Sequence, residues 1–419
     1  MRILLASAHR NLVGGVEKYL QALMPGLRDR GHELALLYEY PLTPGRETID
    51  PAPALSRYWC LDECHATAAL ESIAQWNPDV VYYHGFDHAD SMGVEDALLS
   101  AYPVALYVHN YDRTCGTGQK CFMFPEPEVC SRQIGPMCLL LHYPRRCGGL
   151  HPGVMWRRYR RHAALNARLT GYQAVLVAGS HMQREMAATR VRPDRLHLLP
   201  LPATDAPLDL VPPVAKQLSG EILFVGRLTN LKGAHYLLRA IPLAARKLER
   251  SLTLTVAGDG PARQKLENLA GELGVTVKFR GWVQTSDKLD LMRQADLLAV
   301  PSLWPEPFGL VGFEAGGLGL PAVGYSTGGI PDWLVPGETG ELAPSNPPTP
   351  AGLSEAIVRA LASPEHYARL RLGAWTLARR FTLAEHVDRL DSLLVSISRT
   401  GRTGASRFAP LAAKDAIPQ

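Results

Sequence analysis

The chain has 419 residues, of which 46% are hydrophobic and 20% are charged, and its formal net charge is +4. At roughly 100–200 residues per domain, this length predicts two or three domains that each bury a core. The charge is too small to indicate nucleic-acid binding, and no apolar run reaches the length of about 18 residues that would predict a membrane-spanning helix.

Short apolar runs alternate with helical patterns along the chain, which is typical of parallel βα units. The first run leads directly into a glycine turn and lacks the long apolar stretch of a signal peptide, so we interpret it as a strand and expect a cytoplasmic protein. Strands are predicted at residues 2–7, 33–39, 80–85, 104–110, 174–180, 196–200, 222–226, 252–258, 275–281, 297–302 and 321–325.

A proline-rich segment at residues 200–213 separates the first six predicted strands from the last five, and its prolines disfavour a helix or a central strand. We therefore expect one doubly wound α/β domain at residues 1–205 and a second at 206–380. Residues 381–398 have helical periodicity, and the tail at 399–419 has the composition of a disordered segment.

The loop after the first strand contains Gly14 and Gly15, which would let the N-terminus of the next helix face an anion. This loop is not the Gly-x-Gly-x-x-Gly fingerprint, so a nicotinamide cofactor is disfavoured, and a plain tight turn is the alternative. His84 and His109 end two predicted strands, a position in which a histidine is more often structural than catalytic.

Five cysteines lie in a predicted insertion at residues 111–151, separated by five, eight, seven and eight residues. These spacings do not match compact zinc motifs of the Cys-x-x-Cys kind. Reduced cysteines, a structural zinc or iron site that uses three or four of them, and disulfides all stay open. The cysteines are Cys115, Cys121, Cys130, Cys138 and Cys147.

The segment Trp156-Arg-Arg-Tyr-Arg-Arg-His162 begins a predicted helix that is basic and aromatic. A solvated cationic face is one interpretation, and contact with an anionic acceptor or an anionic lipid surface is the other. A peripheral contact with the inner face of the membrane therefore stays open, as does the oligomeric state.

Arg227 and Lys232 follow the predicted strand at residues 222–226, at the strand end where open α/β sheets bind ligands. Arginine binds phosphate oxygens through its planar fork, and lysine supplies a compact charge. The neighbouring Gly226 and Gly233 allow a ligand to approach the backbone closely. We predict a diphosphate site here, with an unrelated surface pair as the alternative.

Glu306 and Glu314 frame the stretch EPFGLVGFE, with seven residues between the two carboxylates. On a loop that runs into a helix, they would lie about two turns apart on one face. Between them, Phe308, Gly309 and Leu310 would present backbone N–H groups at a helix start, which is a natural anion site. A nucleotide diphosphate and a sugar could both be held by this element.

The pattern GR…KG at residues 226–233, followed by EPFGL…E at 306–314, resembles glycosyltransferase family 4, the retaining sugar-nucleotide enzymes of the GT-B fold. The resemblance is strong from about residue 220 to 395 and thinner before that. It implies two Rossmann-like domains that face each other across a cleft, with the last helix crossing back onto the first domain.

The resemblance also implies roles for residues of the second domain. Glu306 would contact the donor sugar ring, and Glu314 would contact the ribose. Trp282 and Val283 would lie near the nucleotide base. Asp332 stands where relatives often carry a glutamate, and no role is assigned to it.

In the first domain, the resemblance places Gly15 near the donor phosphate and His109 beside the reacting sugar. Gly14 and His84 would lie on the acceptor side. The cysteine-rich insertion follows His109 directly, so we expect it to border the acceptor and to help form a pocket or lid.

The implied function is transfer of a hexosyl unit from a nucleotide diphosphate sugar, with uridine preferred, to a hydroxyl of a glycan, a lipid-linked compound or a small molecule. The anomeric configuration would be retained. Glu306, His109, Arg227 and Lys232 form the predicted catalytic set. No cofactor is required for the chemistry, because the two cations neutralise the leaving phosphate. A sugar-nucleotide epimerase and a non-catalytic sugar-nucleotide-binding protein are the alternatives.

Overall fold

The computed structural model describes residues 1–50, 55–202, 211–213 and 216–401. Within these residues the chain forms strands β1–β15 and helices α1–α13. The strands are β1 (Arg2–Ser7), β2 (Glu33–Tyr38), β3 (Arg57–Cys60), β4 (Val80–Tyr83), β5 (Val104–Val108), β6 (Cys121–Phe122), β7 (Glu128–Val129), β8 (Ala174–Val177), β9 (Leu196–Leu198), β10 (Glu221–Val225), β11 (Thr253–Ala257), β12 (Val277–Gly281), β13 (Leu297–Val300), β14 (Ala322–Tyr325) and β15 (Gly340–Ala343).

The helices alternate with the strands along most of the chain. They are α1 (Gly15–Asp29), α2 (Ala66–Trp76), α3 (Met92–Ala101), α4 (Met137–Leu141), α5 (Pro152–Ala167), α6 (Ser180–Ala187), α7 (Ala234–Leu248), α8 (Arg263–Leu273), α9 (Thr285–Gln294), α10 (Leu310–Gly317), α11 (Pro350–Leu361), α12 (Pro364–Ala378) and α13 (Leu383–Gly401).

The described strands form two large sheets and one small hairpin. The first sheet has the order β3-β2-β1-β4-β5-β8-β9, and the second has the order β12-β11-β10-β13-β14-β15. Every pair with a defined register in the two large sheets is parallel, whereas β6 and β7 pair antiparallel. Strands such as β4 and β13 are buried along their whole length, as expected for parallel sheets covered on both faces. The predicted α/β class is confirmed.

The chain divides into two compact units. Unit 1 comprises Met1–Tyr107, Thr170–Leu176 and the described residues from Arg389 onward, and unit 2 comprises Val108–Leu169 and Val177–Asp388. The predicted boundary between residues 205 and 206 lies outside the described residues and stays a prediction. Residues 402–419 of the predicted tail lie outside them as well.

Unit 1 is built on β1 and β2, whose residues after the first are all buried. Helix α1 buries one stripe of apolar side chains at helical spacing: Tyr19, Leu20, Leu23, Met24 and Leu27. The carboxylate of Asp391, in α13, contacts the imidazole of His32, which lies just before β2. The distance between Asp391 Oδ1 and His32 Nε2 is 2.6 Å. The last helix is thereby attached to unit 1 through its second half.

Unit 2 has an apolar core between its sheet and helices α7 and α11. Ile222 of β10, Leu254 of β11, Leu237 of α7 and Ile357 of α11 are all inaccessible to solvent. At about 25 cal/mol for each Å² of buried apolar surface, such a core dominates the stability of the unit. The strands β10, β13 and β14 lie in fixed register over this core. The loops that follow these three strands leave the sheet at the same edge.

All eleven strands predicted from the sequence are present, with ends that differ by a few residues. The sequence analysis missed β3 and β15, which are four-residue strands at the edges of their sheets. It also missed the hairpin of β6 and β7, whose strands have two residues each. Such short strands carry too few alternating positions to produce a readable pattern.

Candidate functional site

The site in unit 2 begins where two neighbouring parallel strands end. β10 and β13 lie side by side, so the loops that follow them emerge at the same edge of the sheet. The loops are joined by a backbone hydrogen bond from Leu303 N–H to Leu231 O, at 2.8 Å. A Cβ atom on Gly233 would lie 1.8 Å from Pro301 O, so only glycine permits this approach. Lys232 is thus positioned beside the loop that follows β13.

Lys232 and Glu306, predicted from separate motifs, form one ion pair. Lys232 Nζ lies 2.6 Å from Glu306 Oε1, and the Ser302 hydroxyl donates to the same oxygen at 2.5 Å. The Glu306 side chain is 8% exposed and the Lys232 side chain 30% exposed. The Lys232 ammonium also lies 5.4 Å from the centre of the Trp304 ring. A buried carboxylate is therefore held charged beside a partly accessible cation.

The pKa of Glu306 lies below its ordinary value. Burial by itself would raise the pKa of this carboxyl, but the charge of Lys232 and the hydrogen bonds from Lys232 and Ser302 outweigh the burial. Glu306 is therefore ionised at neutral pH and can accept hydrogen bonds from sugar hydroxyls.

A third loop, which follows β14, packs under Glu306. Gly329 N–H donates to Glu306 O at 2.7 Å. Gly328 has a φ of +59°, and a Cβ atom there would lie 2.4 Å from both the backbone nitrogen and the carbonyl oxygen of Glu306. This close packing sets the position of the Glu306 backbone.

The predicted anion site lies at the start of α10. The helix begins at Leu310, after Gly309, and no side chain caps its N-terminus. The preceding carbonyl, Phe308 O, accepts a hydrogen bond from the Trp333 indole at 2.7 Å, which fixes the entry into the helix. Because the helix begins at Leu310, the expected two-turn spacing of Glu306 and Glu314 on one helical face is wrong: Glu306 is held by the loop.

Glu314 lies inside α10 and pairs with a residue that the sequence analysis missed. Lys288 Nζ of α9 lies 2.8 Å from Glu314 Oε2, and both side chains are nearly buried. No local pattern distinguishes Lys288 from a surface lysine, because its position depends on how α9 packs. The sequence analysis also missed Ser302, although Ser302 is the last residue of the predicted strand at 297–302. Gly226, just before Arg227, ends its predicted strand in the same way.

Arg227, Trp282 and Val283 are more accessible. Arg227 is exposed, and its guanidinium makes no hydrogen bond or ion pair within the part of the chain that the structure describes. Trp282 is 76% exposed, and Val283 is half-buried in the turn between β12 and α9. All three remain able to contact a ligand.

His109 follows β5 and belongs to unit 2. Burial lowers the pKa of His109 to about 3, so its imidazole is neutral at physiological pH. A neutral imidazole can hydrogen-bond a sugar hydroxyl, as predicted, but it cannot supply a positive charge.

The cysteine-rich insertion contacts the loop that carries Glu306. The Cys121 thiol approaches Leu303 O at 3.5 Å, and the Tyr111 ring packs edge-on against Trp304 with 5.8 Å between ring centres. Lys120 is fully buried and forms an ion pair with Glu185 of α6, at 2.7 Å. The insertion is therefore anchored beside the site.

All seven cysteines are free thiols. Within the described residues, no group of three or more His, Cys, Asp or Glu side chains is arranged to hold a metal ion. Burial raises the pKa of Cys121 and of Cys147 to about 12, and it also raises that of Cys130. Which of the three predicted states the cysteines adopt stays a prediction.

Of the residues predicted on the first domain, Gly14, Gly15 and His84 lie in unit 1, whereas His109 lies in unit 2. Gly14 precedes α1, and its N–H donates to Glu17 Oε2 at 2.8 Å, so this amide already has a carboxylate partner. Gly15 is the first residue of the helix. The His84 ring lies against Tyr82, with 4.4 Å between ring centres, and follows β4 as predicted.

Asp332, to which the sequence analysis assigned no role, caps helix α6. The Ser180 N–H donates to Asp332 Oδ2 at 2.6 Å, and the Ser180 hydroxyl donates to the other carboxylate oxygen. A carboxylate at a helix N-terminus is stabilised by the unpaired amides there. Its role in this structure is to hold the loop after β14 against α6.

Two family models match the chain. One, described as glycosyl transferases group 1, matches residues 214–374, and the other, described as glycosyl transferase 4-like domain, matches residues 14–202. Residues 14–202 and residues 214–374 thus each match a glycosyltransferase domain family. The second match agrees with the predicted resemblance to family 4, although neither match addresses the cysteine insertion.

Relatives with known names match this chain over part of their length. It is 35% identical to D-inositol 3-phosphate glycosyltransferase of Corynebacterium efficiens over 179 residues, 41% of this chain and 42% of that protein. It is 46% identical to a glycosyltransferase of Methanocaldococcus jannaschii, of uncharacterized activity, over 112 residues, 26% of this chain and 28% of that protein. The chain thus aligns with less than half of either relative.

Solved structures confirm the predicted GT-B fold. Sucrose-phosphate synthase from Thermosynechococcus elongatus superimposes with a TM-score of 0.69 at 19% identity, and the match covers 96% of this chain and all of that chain. HepE of Anabaena, in complex with UDP-glucose, superimposes with a TM-score of 0.64 at 19% identity. The match covers 94% of this chain and 100% of the HepE chain.

The packing under Glu306 generates a first prediction. Gly328→Ala should lower the free energy of unfolding by about 2–5 kcal/mol, since it adds a left-handed alanine and a backbone clash. Gly337→Ala is the matched control, because Gly337 has a φ of +77° but nothing within 4 Å of its Cβ position. Its expected cost is about 1–2 kcal/mol. Equal shifts of the two urea midpoints would contradict the packing argument.

The lowered pKa of Glu306 generates a second prediction. A carboxyl whose pKa is lower in the folded than in the unfolded state stabilises the fold above the unfolded pKa of about 4.3, and this contribution is lost as the pH falls through the folded pKa. Wild type should therefore exceed Glu306→Gln in melting temperature at pH 6–7, and the difference should shrink towards pH 3. A constant difference across this range, measured by calorimetry, would exclude the proposed charge state.

The raised thiol pKa values generate a third prediction. Because the thiolate is the reactive form, native Cys121 and Cys147 should react with iodoacetamide at pH 7.5 at least about tenfold more slowly than in denaturant. Peptide mass spectrometry measures each rate. Fewer than seven thiols in denatured, unreduced protein would indicate disulfides instead, and stoichiometric zinc or iron in the purified protein would indicate a metal site.

Proposed function

We propose that the protein is a hexosyltransferase that moves a sugar from a nucleotide diphosphate donor, UDP-hexose by preference, to an acceptor hydroxyl with retention of anomeric configuration. The observation that carries the proposal is the Lys232–Glu306 ion pair, built by two loops at the carboxyl ends of neighbouring parallel strands. The fold of HepE, whose crystal structure contains UDP-glucose, is the support for uridine.

The donor diphosphate binds to Arg227, Lys232 and the amides at the start of α10. Arg227 is exposed and Lys232 is partly exposed, so both can reach phosphate oxygens. The N-terminus of α10 has no side-chain cap, so its first amides around Gly309 and Leu310 can donate to an anion. The turn contains Gly309, and the hydrogen bond from the Trp333 indole to Phe308 O fixes its backbone.

The sugar and the ribose bind to the two carboxylates. Glu306 is ionised and accepts hydrogen bonds from sugar hydroxyls, while Glu314 accepts from the ribose diol with Lys288 balancing its charge. The base lies against the turn that contains Trp282 and Val283. Neutral His109 hydrogen-bonds a hydroxyl of the reacting sugar.

The chemistry is departure of the nucleoside diphosphate from the anomeric carbon. Negative charge builds on the leaving β-phosphate, and Arg227 and Lys232 are placed to stabilise that charge as it develops. The acceptor attacks from the face that the phosphate leaves, and a phosphate oxygen takes the acceptor proton. Glu306 orients the sugar and stabilises positive charge on the ring without forming a bond to it.

Gly14 and His84 are the proposed acceptor-side residues of unit 1. The cysteine-rich insertion belongs to unit 2. The contacts of Tyr111 and Cys121 with the loop that carries Glu306 support a place for the insertion beside the sugar. The acceptor is a glycan, a lipid-linked compound or a small molecule.

Lys232→Ala and Glu306→Ala should each lower the turnover number about 100-fold or more, because each removes charge placed for the transition state. The matched control is Lys247→Ala, which also removes a lysine paired with a glutamate, Glu355, but on α7 away from the strand ends. Release of nucleoside diphosphate from a panel of donors, preselected by thermal shift, measures the effect. Near-normal transfer by either site variant would contradict the proposal.

The same assay separates the alternatives. Appearance of an epimerised sugar nucleotide without any acceptor would indicate an epimerase. Binding of a donor, seen as a raised melting temperature, with neither hydrolysis nor transfer for any acceptor would indicate a binding protein.

A further inference from the structure

Positive charge is concentrated in one segment of the chain. Residues 129–168 contain eight arginines and no lysine, aspartate or glutamate, although the whole chain has a net charge of only +4. Arg157, Arg158 and Arg160 are exposed and form no hydrogen bond or ion pair with the residues that the structure describes. The segment therefore presents uncompensated positive charge to solvent.

Large apolar side chains are exposed in the same region. Six of the eleven exposed large hydrophobic residues in the described part of the chain lie between residues 124 and 156. Leu150 is 75% exposed, Leu140 68% and Trp156 49%. The other three are Phe124, Met137 and Tyr143. Single exposed apolar residues are ordinary, but a group within one small substructure marks an interaction surface.

The charged and apolar residues share the surface of α4 and α5, which pack against each other. The inner side of α5 is set by His162, whose Nδ1 lies 2.8 Å from Cys115 O. Arg160 lies about 160° around the helix from His162, on the outer side. Trp156 is one turn before Arg160, and Leu150 lies just before the helix start. We call Leu140, Leu150, Trp156, Arg157 and Arg160 the interfacial surface.

We propose that the interfacial surface docks the protein on a bilayer that contains anionic phospholipid. Arginines bind the headgroup phosphates, and Leu140, Leu150 and Trp156 enter the boundary between headgroups and acyl chains. A basic helix with tryptophan and leucine beside it has the composition of an element that lies in the membrane interface. A soluble polyanion would use the arginines but would leave the two leucines and the tryptophan in water.

The docking is peripheral. None of the described helices combines the length and apolar character needed to cross a bilayer. The attraction of each arginine to an anionic surface is screened by salt within a Debye length, so binding should weaken as ionic strength rises. The proposal does not rest on the proposed transferase activity, because vesicle binding requires no sugar nucleotide.

Sedimentation of the full chain with vesicles tests the proposal. Wild type should bind vesicles with about 30% phosphatidylglycerol and should not bind pure phosphatidylcholine at ~0.1 M salt. Arg157→Glu/Arg160→Glu should lower the partition coefficient roughly 30-fold or more, at about fivefold for each arginine lost and a further loss from the added negative charge. Leu140→Ser/Leu150→Ser should also weaken binding, by about tenfold or more.

Matched variants on other surfaces are the controls. Arg28→Glu/Arg246→Glu reverses two exposed arginines elsewhere, and Leu42→Ser/Leu372→Ser replaces two exposed leucines elsewhere. Both should bind vesicles like wild type, and circular dichroism verifies that each variant is folded. Equal binding to neutral and anionic vesicles, or unchanged binding by the Arg157/Arg160 variant, would overturn the proposal. Binding to heparin without binding to anionic vesicles would indicate a soluble polyanion and would overturn it as well.

Discussion

The structure of the site depends on keeping one buried carboxylate charged. Glu306 lies in a place where burial alone would favour its protonated form, and Lys232 and Ser302 reverse that preference. The ion pair requires the loops after β10 and β13 to touch, which in turn requires glycine at Gly233. The charge of Glu306 therefore depends on close backbone packing between these two loops.

The same principle appears at Glu314, whose partner Lys288 comes from a different helix. Both carboxylates proposed to bind the donor are compensated by lysines. Two uncompensated negative charges beside the proposed diphosphate site would repel an anionic ligand, and the lysines remove that repulsion. Arg227 is exposed and has no protein partner among the described residues, so it adds a second accessible cation beside the partly exposed Lys232.

The insertion contacts the loop that carries Glu306 through Tyr111 and Cys121. It also contacts α6, because the fully buried Lys120 forms an ion pair with Glu185. Its inner side therefore packs against the loop that carries Glu306. Its outer side presents arginines and large apolar residues to solvent, so one substructure links the proposed chemistry to the proposed membrane surface.

The amino-acid sequence by itself determined the eleven predicted strands, the α/β class, and the motifs that contain Arg227, Lys232, Glu306 and Glu314. These features are local: they depend on apolar periodicity, on glycine turns and on residues that follow a strand end. Only the tertiary structure decided that Glu306 is held by Lys232 and Ser302, that Lys288 pairs with Glu314, and that Asp332 caps α6. Apart from the bond of Ser302, four residues before Glu306, these contacts join residues far apart in the chain. The packing of unit 2 that sets their distances leaves no local pattern in the sequence.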